Sequence, residues 1–421
     1  KVILSTEQKI ELIGRMVDAL LGATASANLR RRVVERADGV PLFAEELARA
    51  LTEGDAAVAE DAIPATLRDS LHALLDRVGP AKATAGWAAV LGREFSYPVL
   101  AAVAPFNEAR LQADLLTLTT AGLIQPAADP ATASYVFRHA LLHEAAYAAL
   151  LKRTRQAHHR RIAETYAVRF PQMAAAQPQA MAEHAYQAGL ASRAVDYWLK
   201  AGEHANTQGA TLEAKRLFER ALGAVGPEEG QQRWRALWGY ETALNARAER
   251  PAQKAAVDAL LALADDLDDD GRRAQAQLRR ARYASSQADY PEQAHAADAA
   301  IAAARRCGAQ PVELEALAYR VTALLRLGQF AALQPVVAET LSLAQHVDQE
   351  AIRSYAMAAV ALFYFENGDL GRAAQVLAQS LEAAGRAPHR QLDLESQYHG
   401  HLGFAYAQLG LYAEARAVLE A

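Results

Sequence analysis

Apolar residues recur at three- and four-residue intervals along most of this chain, the pattern of amphipathic helices packed on one another. Leu67, Leu71, Leu74, Leu75 and Val78 fall on one helical face, and Gly79-Pro80 ends that helix. Upstream, Lys1 to Leu4 read as the exit of a strand, and Ser5 and Gln8 have the spacing of a capping box. A second helix is expected from Asn28. A third is expected from Pro41, where a missing N–H costs nothing in the first turn, to Gly54. Glu45 and Glu46 lie early in that helix, where its dipole favours acids. Helices near 81–91, 96–104 and 107–121 follow. The period then shortens, and 122–125 and 134–137 read as short strands around the turn-rich loop 126–133. Further helices are expected at 140–151 and 153–170.

Three helices followed by one short β-hairpin describe a winged helix-turn-helix domain. From about 175 the pattern repeats. Leu402-Gly403-x-x-Tyr406-x-x-x-Gly410-x-Tyr412-x-x-Ala415 has the tetratricopeptide form, in which small residues let two helices approach and large ones fill between pairs. Similar turns stand at 289, 328 and 368, about 40 residues apart. Gly189 and Gly209 are closer, which predicts a helix shared between stacked pairs, and 226–288 reads as one degenerate pair around Trp234 and Trp238. The expected fold is mainly α: a helical segment over 1–54, a winged-helix domain over 55–172 opening on the linker 55–62, and a tetratricopeptide-like α-solenoid over 173–421. Counting back from the turns puts Arg279, Tyr283, Glu315, Arg326, Tyr355, Phe365 and Gln397 on or near the concave face of such an array. Aromatic and arginine side chains there are the types that anchor a protein or small-molecule ligand. Tyr355 and Phe365 can equally fill the solenoid core.

Composition narrows the classes. The chain of 421 residues carries a formal net charge of −5, so no global field draws it to nucleic acid. One cysteine, Cys307, excludes an internal disulfide framework and suits a reducing cytoplasm. The longest apolar run, Tyr355 to Phe365, falls short of the roughly 18 residues needed to span a bilayer, so no membrane is expected. Beginning at Lys1 and ending inside a helical pattern, the sequence reads as a piece of a longer polypeptide. Residues 152–161 hold five fixed positive charges, but they follow the hairpin instead of forming the helix that enters a DNA groove, and a solvated face is expected. Asp266-x-Asp268-x-Asp270-Gly271 begins like a calcium loop, yet Ala274 and Gln277 stand where later ligands belong, so an acidic turn is expected. No other metal spacing and no catalytic triad or paired carboxylates are visible. Gly-x-x-x-x-Gly-Lys-[Ser/Thr] is absent, so the chain is not expected to hydrolyse ATP.

Two phrases carry a family resemblance: Asp38-Gly39-Val40-Pro41-Leu42-Phe43-Ala44-Glu45-Glu46-Leu47, and Phe137-Arg138-His139 opening an amphipathic helix. With Ile63-Pro64, Leu91 to Tyr97, Ala121 to Ile124 and Ala194 to Gly202, they make the chain resemble the regulatory half of bacterial STAND-class signalling ATPases with tetratricopeptide repeats. The resemblance implies that 1–54 is the remnant of a helical ATPase lid whose Pro41 packs on adenine, and that His139 senses the β-phosphate of ADP. ATP or ADP with Mg would then be bound by the parent protein, and no cofactor by this chain alone. It also implies an N-terminal ATPase core and effector as partners, with room for a homo-oligomer. In the branch it most resembles, the effector is a class III adenylate or guanylate cyclase; in cousins it is a DNA-binding domain of the LuxR or SARP type. In such proteins the repeats sense a ligand or protein and the winged helix clamps the ADP-bound core. The rival readings are a tetratricopeptide scaffold or adaptor, and a transcriptional regulator gripping DNA through 152–161.

Overall fold

The computed structural model describes residues 6–21, 31, 33, 34, 37, 44, 45, 67–127, 133–386 and 392–420. The chain divides into two units, Lys1–Tyr197 and Trp198–Ala421. Among the described residues, no helix is long and apolar enough to cross a membrane.

In the first unit, α1 (Thr6–Leu21) precedes α2 (Leu67–Arg77) and α3 (Ala81–Leu91). Next come β1 (Glu94–Ser96), α4 (Tyr97–Val103), α5 (Glu108–Thr120), β2 (Ile124–Pro126) and β3 (Ser134–Phe137). Then follow α6 (Ala140–Ala148), α7 (Lys152–Arg169), α8 (Pro171–Ala176) and α9 (Pro178–Gln187). The leucine stripe of α2 does what its spacing predicts: Leu71, Leu74, Leu75 and Val78 are buried with Trp87, Leu111, Leu115, Phe137 and Leu142. Asn107 caps α5 by accepting from the Arg110 N–H at 2.9 Å.

The sheet is larger than the expected hairpin. β3 is central, paired antiparallel with β2 (Ile124 opposite Phe137) and with β1 (Glu94 opposite Val136). A three-residue strand between two helices is too short to show a period of two, so β1 left no pattern to read. Phe95 anchors it, 5.9 Å from the Tyr135 ring and 6.0 Å from Phe137. Helices α8 and α9, placed by sequence in the repeat segment, pack on α7.

The helix α10 (Ala191–Thr207) spans the division between the units. The second unit continues with α11 (Thr211–Ala224), α12 (Gly230–Ala246), α13 (Arg250–Asp266), α14 (Asp270–Ser286), α15 (Tyr290–Cys307) and α16 (Gln310–Arg326). It ends with α17 (Phe330–Ala344), α18 (Glu350–Glu366), α19 (Leu370–Arg386), α20 (Leu392–Gln408) and α21 (Tyr412–Glu420). From α12 to α19 a helix begins every 20 residues, so each 40-residue repeat is one pair. The 20-residue step between Gly189 and Gly209 matches the advance of one helix, α10 lying between them. Likewise, 226–288 holds three helices, α12 to α14, where one degenerate pair was expected.

The turns explain that difference. Most close with a left-handed residue whose successor's N–H bonds back to the last helical turn, as Gln329 does to Leu324 O at 3.0 Å and Asp369 to Tyr364 O at 2.9 Å; the turn 345–349 does not. Glycine takes the left-handed position at 308, 328, 368 and 410, but Ala248, Asp268 and Ala288 take it with φ of 55°, 48° and 55°. Those three turns carry no glycine signal. Small residues set the helix spacing: a Cβ on Gly239 of α12 would lie 2.1 Å from the Phe218 ring of α11.

Candidate functional site

The helices that open successive pairs, α12, α14, α16, α18 and α20, carry a row of polar and aromatic side chains. At its start Glu241 is fully buried. Its Oε1 accepts from Gln253 Nε2 at 2.8 Å, and its Oε2 accepts from Arg279 Nη1. The Arg279 guanidinium lies 3.8 Å from the centroid of Trp238. Burial pulls the Arg279 pKa down, and the Glu241 carboxylate opposes that. One step on, Arg282 Nη2 donates to Glu315 Oε1 at 2.6 Å and Nε to the Tyr319 hydroxyl at 3.2 Å. The Tyr319 ring lies 5.4 Å from Tyr355. Burial raises the Tyr355 hydroxyl well above its ordinary range, and the neighbouring Tyr319 adds to this. Tyr398 is pushed up to about 12, first by burial and then by Tyr319.

This row ends at a cavity of about 330 Å³ between α16, α18, α19 and α20. Arg326, Tyr355, Phe365 and Gln397 all line it, so four of the seven side chains predicted for the binding face are brought together. Alanines 358, 359 and 361 of α18 leave the space open. The other three lie elsewhere. Arg279 is buried and Glu315 half-buried, both in ion pairs of the row, and Tyr283 is half-buried on α14. Tyr398, His401 and Glu366 also line the cavity. Sequence reasoning missed them, although Tyr398 and His401 sit one and four residues from Gln397, within reach of the same helix count.

A second cavity, about 440 Å³, is lined by α17, α18 and α19, with Arg353, Arg372 and Arg386 on its wall. All three are already paired: Arg353 with Glu350, Arg372 with Asp369 at 3.4 Å, and Arg386 with Glu382 at 2.6 Å and Glu350 at 3.3 Å. Its electrostatics are satisfied from within.

In the first unit His139 is the residue before α6, in extended conformation (φ −131°, ψ 144°). Its Nε2 is buried and lacks a hydrogen-bond partner among the described residues. Burial lowers its pKa, with Glu45 acting the other way. Glu45 Oε1 also lies 3.4 Å from Arg138 Nη2, so the two sequence phrases meet at Arg138-His139. Pro41 lies outside the described residues. The His139 imidazole nitrogen is thus a polar group left open where the two phrases meet.

The basic segment on α7 is partly engaged with rings. Arg155 lies 5.0 Å from the Tyr147 centroid and Arg161 lies 5.9 Å from Trp87. His158 stacks on Trp87 with centroids 3.6 Å apart. His159 Nδ1 is 2.9 Å from His184 Nδ1, and its Nε2 is 3.0 Å from the Tyr147 hydroxyl. Burial is the first cause that brings all three imidazoles down to about 4. This cluster was not legible in sequence, because its members come from helices 25 residues apart.

No family model matches the chain. An uncharacterised protein of Rhizobium meliloti (strain 1021) is 32% identical over 196 residues, which is 45% of this chain and 19% of that protein. The chain therefore spans about a fifth of the length of the curated relative it matches. Among solved structures it is similar to a STAND protein with a tetratricopeptide repeat sensor from Pyrococcus horikoshii, at 10% identity and a TM-score of 0.42, covering 96% of this chain and 63% of that one. It is also similar to aspartyl phosphate phosphatase F from Bacillus subtilis, at 10% identity and a TM-score of 0.42, covering 99% and 94%. These values are too low to assign a family.

Proposed function

We propose that this chain is the regulatory and sensor region of a larger signalling ATPase. Its repeats take up a ligand or protein, and that event biases a nucleotide switch. The observation that carries the reading is the cavity where Arg326, Tyr355, Phe365 and Gln397 converge at the end of an otherwise internally paired row. In this reading 1–54 is the lid remnant, 55–172 a winged helix with β2 and β3 as its wing, and 173–421 the sensor. Pro41 and His139 act on ADP or Mg-ATP only with an ATPase core supplied by the rest of the parent protein. The Glu45–Arg138 pair supports this, because it links the lid phrase to the residue beside His139. The effector under this control would be a class III nucleotide cyclase, a step that rests on the sequence phrases alone.

This chain has no catalytic role in that scheme. Calorimetry with ADP tests the division of labour. The full-length protein should bind ADP, and residues 1–421 alone should bind it weakly or not at all. Low-micromolar binding by the isolated chain would overturn the reading. An adaptor without any nucleotide is the second reading; a full-length protein that fails to bind ADP would select it.

A further inference from the structure

The charged side chains along the opening helices are paired almost throughout. Arg279 meets Glu241, Arg282 meets Glu315 and Arg353 meets Glu350. Arg233 of α12 departs from this pattern, and so do Arg326 and Glu366. The latter two are the last residues of α16 and α18, carry opposite charges, and line the same cavity. Neither has an ion pair or hydrogen bond among the described residues, although each is exposed and able to make one. Gln397 beside them is likewise unpaired. The rest of the wall is aromatic and aliphatic, with Tyr355, Phe365, Tyr398 and Leu362 prominent.

A cation and an anion that remain unjoined on the wall of an aromatic cavity match a ligand bearing both complementary charges on a ring-containing body. A carboxylate suits the fork of a guanidinium, and an ammonium suits a carboxylate. The rings offer faces for stacking and for burial. The volume of about 330 Å³ is at the small end of the roughly 300–1,000 Å³ range of ligand pockets. That size suits an amino acid and is too small for a whole nucleotide.

We infer that this cavity binds a small aromatic zwitterion, with the chemistry of a free aromatic amino acid. Arg326 takes the carboxylate, Glu366 the ammonium, and Tyr355, Phe365 and Tyr398 the ring. This rests on the sensor reading for its purpose, but the binding itself is independent of any nucleotide.

The test is calorimetry of residues 1–421 with L-phenylalanine, L-tyrosine and L-tryptophan. N-acetyl-L-phenylalanine and L-phenylalaninamide each lack one charge, and L-phenylalanyl dipeptides separate a free amino acid from a peptide end. Saturable binding is expected, with a dissociation constant of about 1 mM or tighter for at least one amino acid. Arg326→Gln and Glu366→Gln should each weaken it about tenfold, the loss of one charge-assisted contact. Neither should move the melting temperature, because neither side chain has a structural partner. Arg326→Gln should also erase the preference for the free acid over the amide. No saturable binding by any of the three amino acids would overturn the ligand class, as would binding that both variants leave unchanged. Tighter binding of the dipeptides would overturn it in favour of a peptide end. The sensor reading fails separately, if nucleotide exchange in the full-length protein does not respond to His139→Ala.

Discussion

Lowering the pH from 7 to 5 should destabilise the first unit far more than the second, because it would force protons onto buried imidazoles. His159 and His184 both have pKa values brought down to about 4, against 6.5 for an ordinary histidine. The sign follows from linkage. Above 6.5 neither the folded nor the unfolded chain holds the proton, and the stability is fully present. As pH falls from 6.5 through 4, the unfolded chain takes up protons that the folded chain refuses, and stability is lost. Each such histidine costs about 1.4 kcal/mol per pH unit in that window, or about 2 kcal/mol at pH 5. The pair therefore accounts for about 4 kcal/mol, with Glu183 opposing the shift and Arg155 reinforcing it at His159. Their Nδ1 atoms, 2.9 Å apart, can share one proton as donor and acceptor, but two protons would collide. His158 is brought down to about 4 as well, so by the same arithmetic it contributes up to about 2 kcal/mol. Two methionines serve as reporters: Met181 is buried beside this cluster on α9, and Met357 is buried on α18. Peroxide oxidation of each across a urea series, read by mass spectrometry, gives two local unfolding midpoints. With a slope of about 2 kcal/mol per molar urea, the Met181 midpoint should fall by about 2–3 M between pH 7 and 5. The Met357 midpoint should move much less. In His159→Gln/His184→Gln the Met181 shift should fall by more than half, leaving the part owed to His158. A double variant that keeps the full shift would refute the reasoning.

Three further outcomes follow from the repeat unit. Ala248→Gly and Ala288→Gly should each stabilise it by about 0.5–1 kcal/mol in urea unfolding, since both alanines hold φ of 55° where glycine is unstrained. Glu241→Ala should cost about 3–5 kcal/mol by leaving Arg279 as an unpaired buried charge, and Arg279→Met added to it should recover much of that loss. Tyr355→Ala should cost about 3 kcal/mol, because this ring packs on the core as well as lining the cavity, whereas Tyr355→Phe should cost only about 1 kcal/mol for the hydroxyl.

The second unit was legible where glycine marked its turns and where apolar spacing was regular, as in α16 to α19. It was not legible at Ala248, Asp268 and Ala288, which adopt the left-handed turn without the residue type that signals it. Strand β1 was hidden by its length, and its partner β3 was found because it ends an apolar run. For the cavity between α16, α18, α19 and α20, counting along helices from the turns reached Arg326, Tyr355, Phe365 and Gln397. The same count could not show that Arg279 and Glu315 are consumed by neighbours on adjacent helices. A polar residue on a helix looks alike in sequence whether it faces solvent or a buried partner, and only packing decides between them.

In the proposed function Arg138-His139 belongs to a nucleotide switch governed by the repeats. Its most direct test is the rate of ADP release from the full-length protein, wild type against His139→Ala, with folding checked by the Met181 and Met357 midpoints. Faster release and higher basal effector output are expected from a variant whose midpoints are unchanged. An unchanged release rate from a normally folded variant would contradict it.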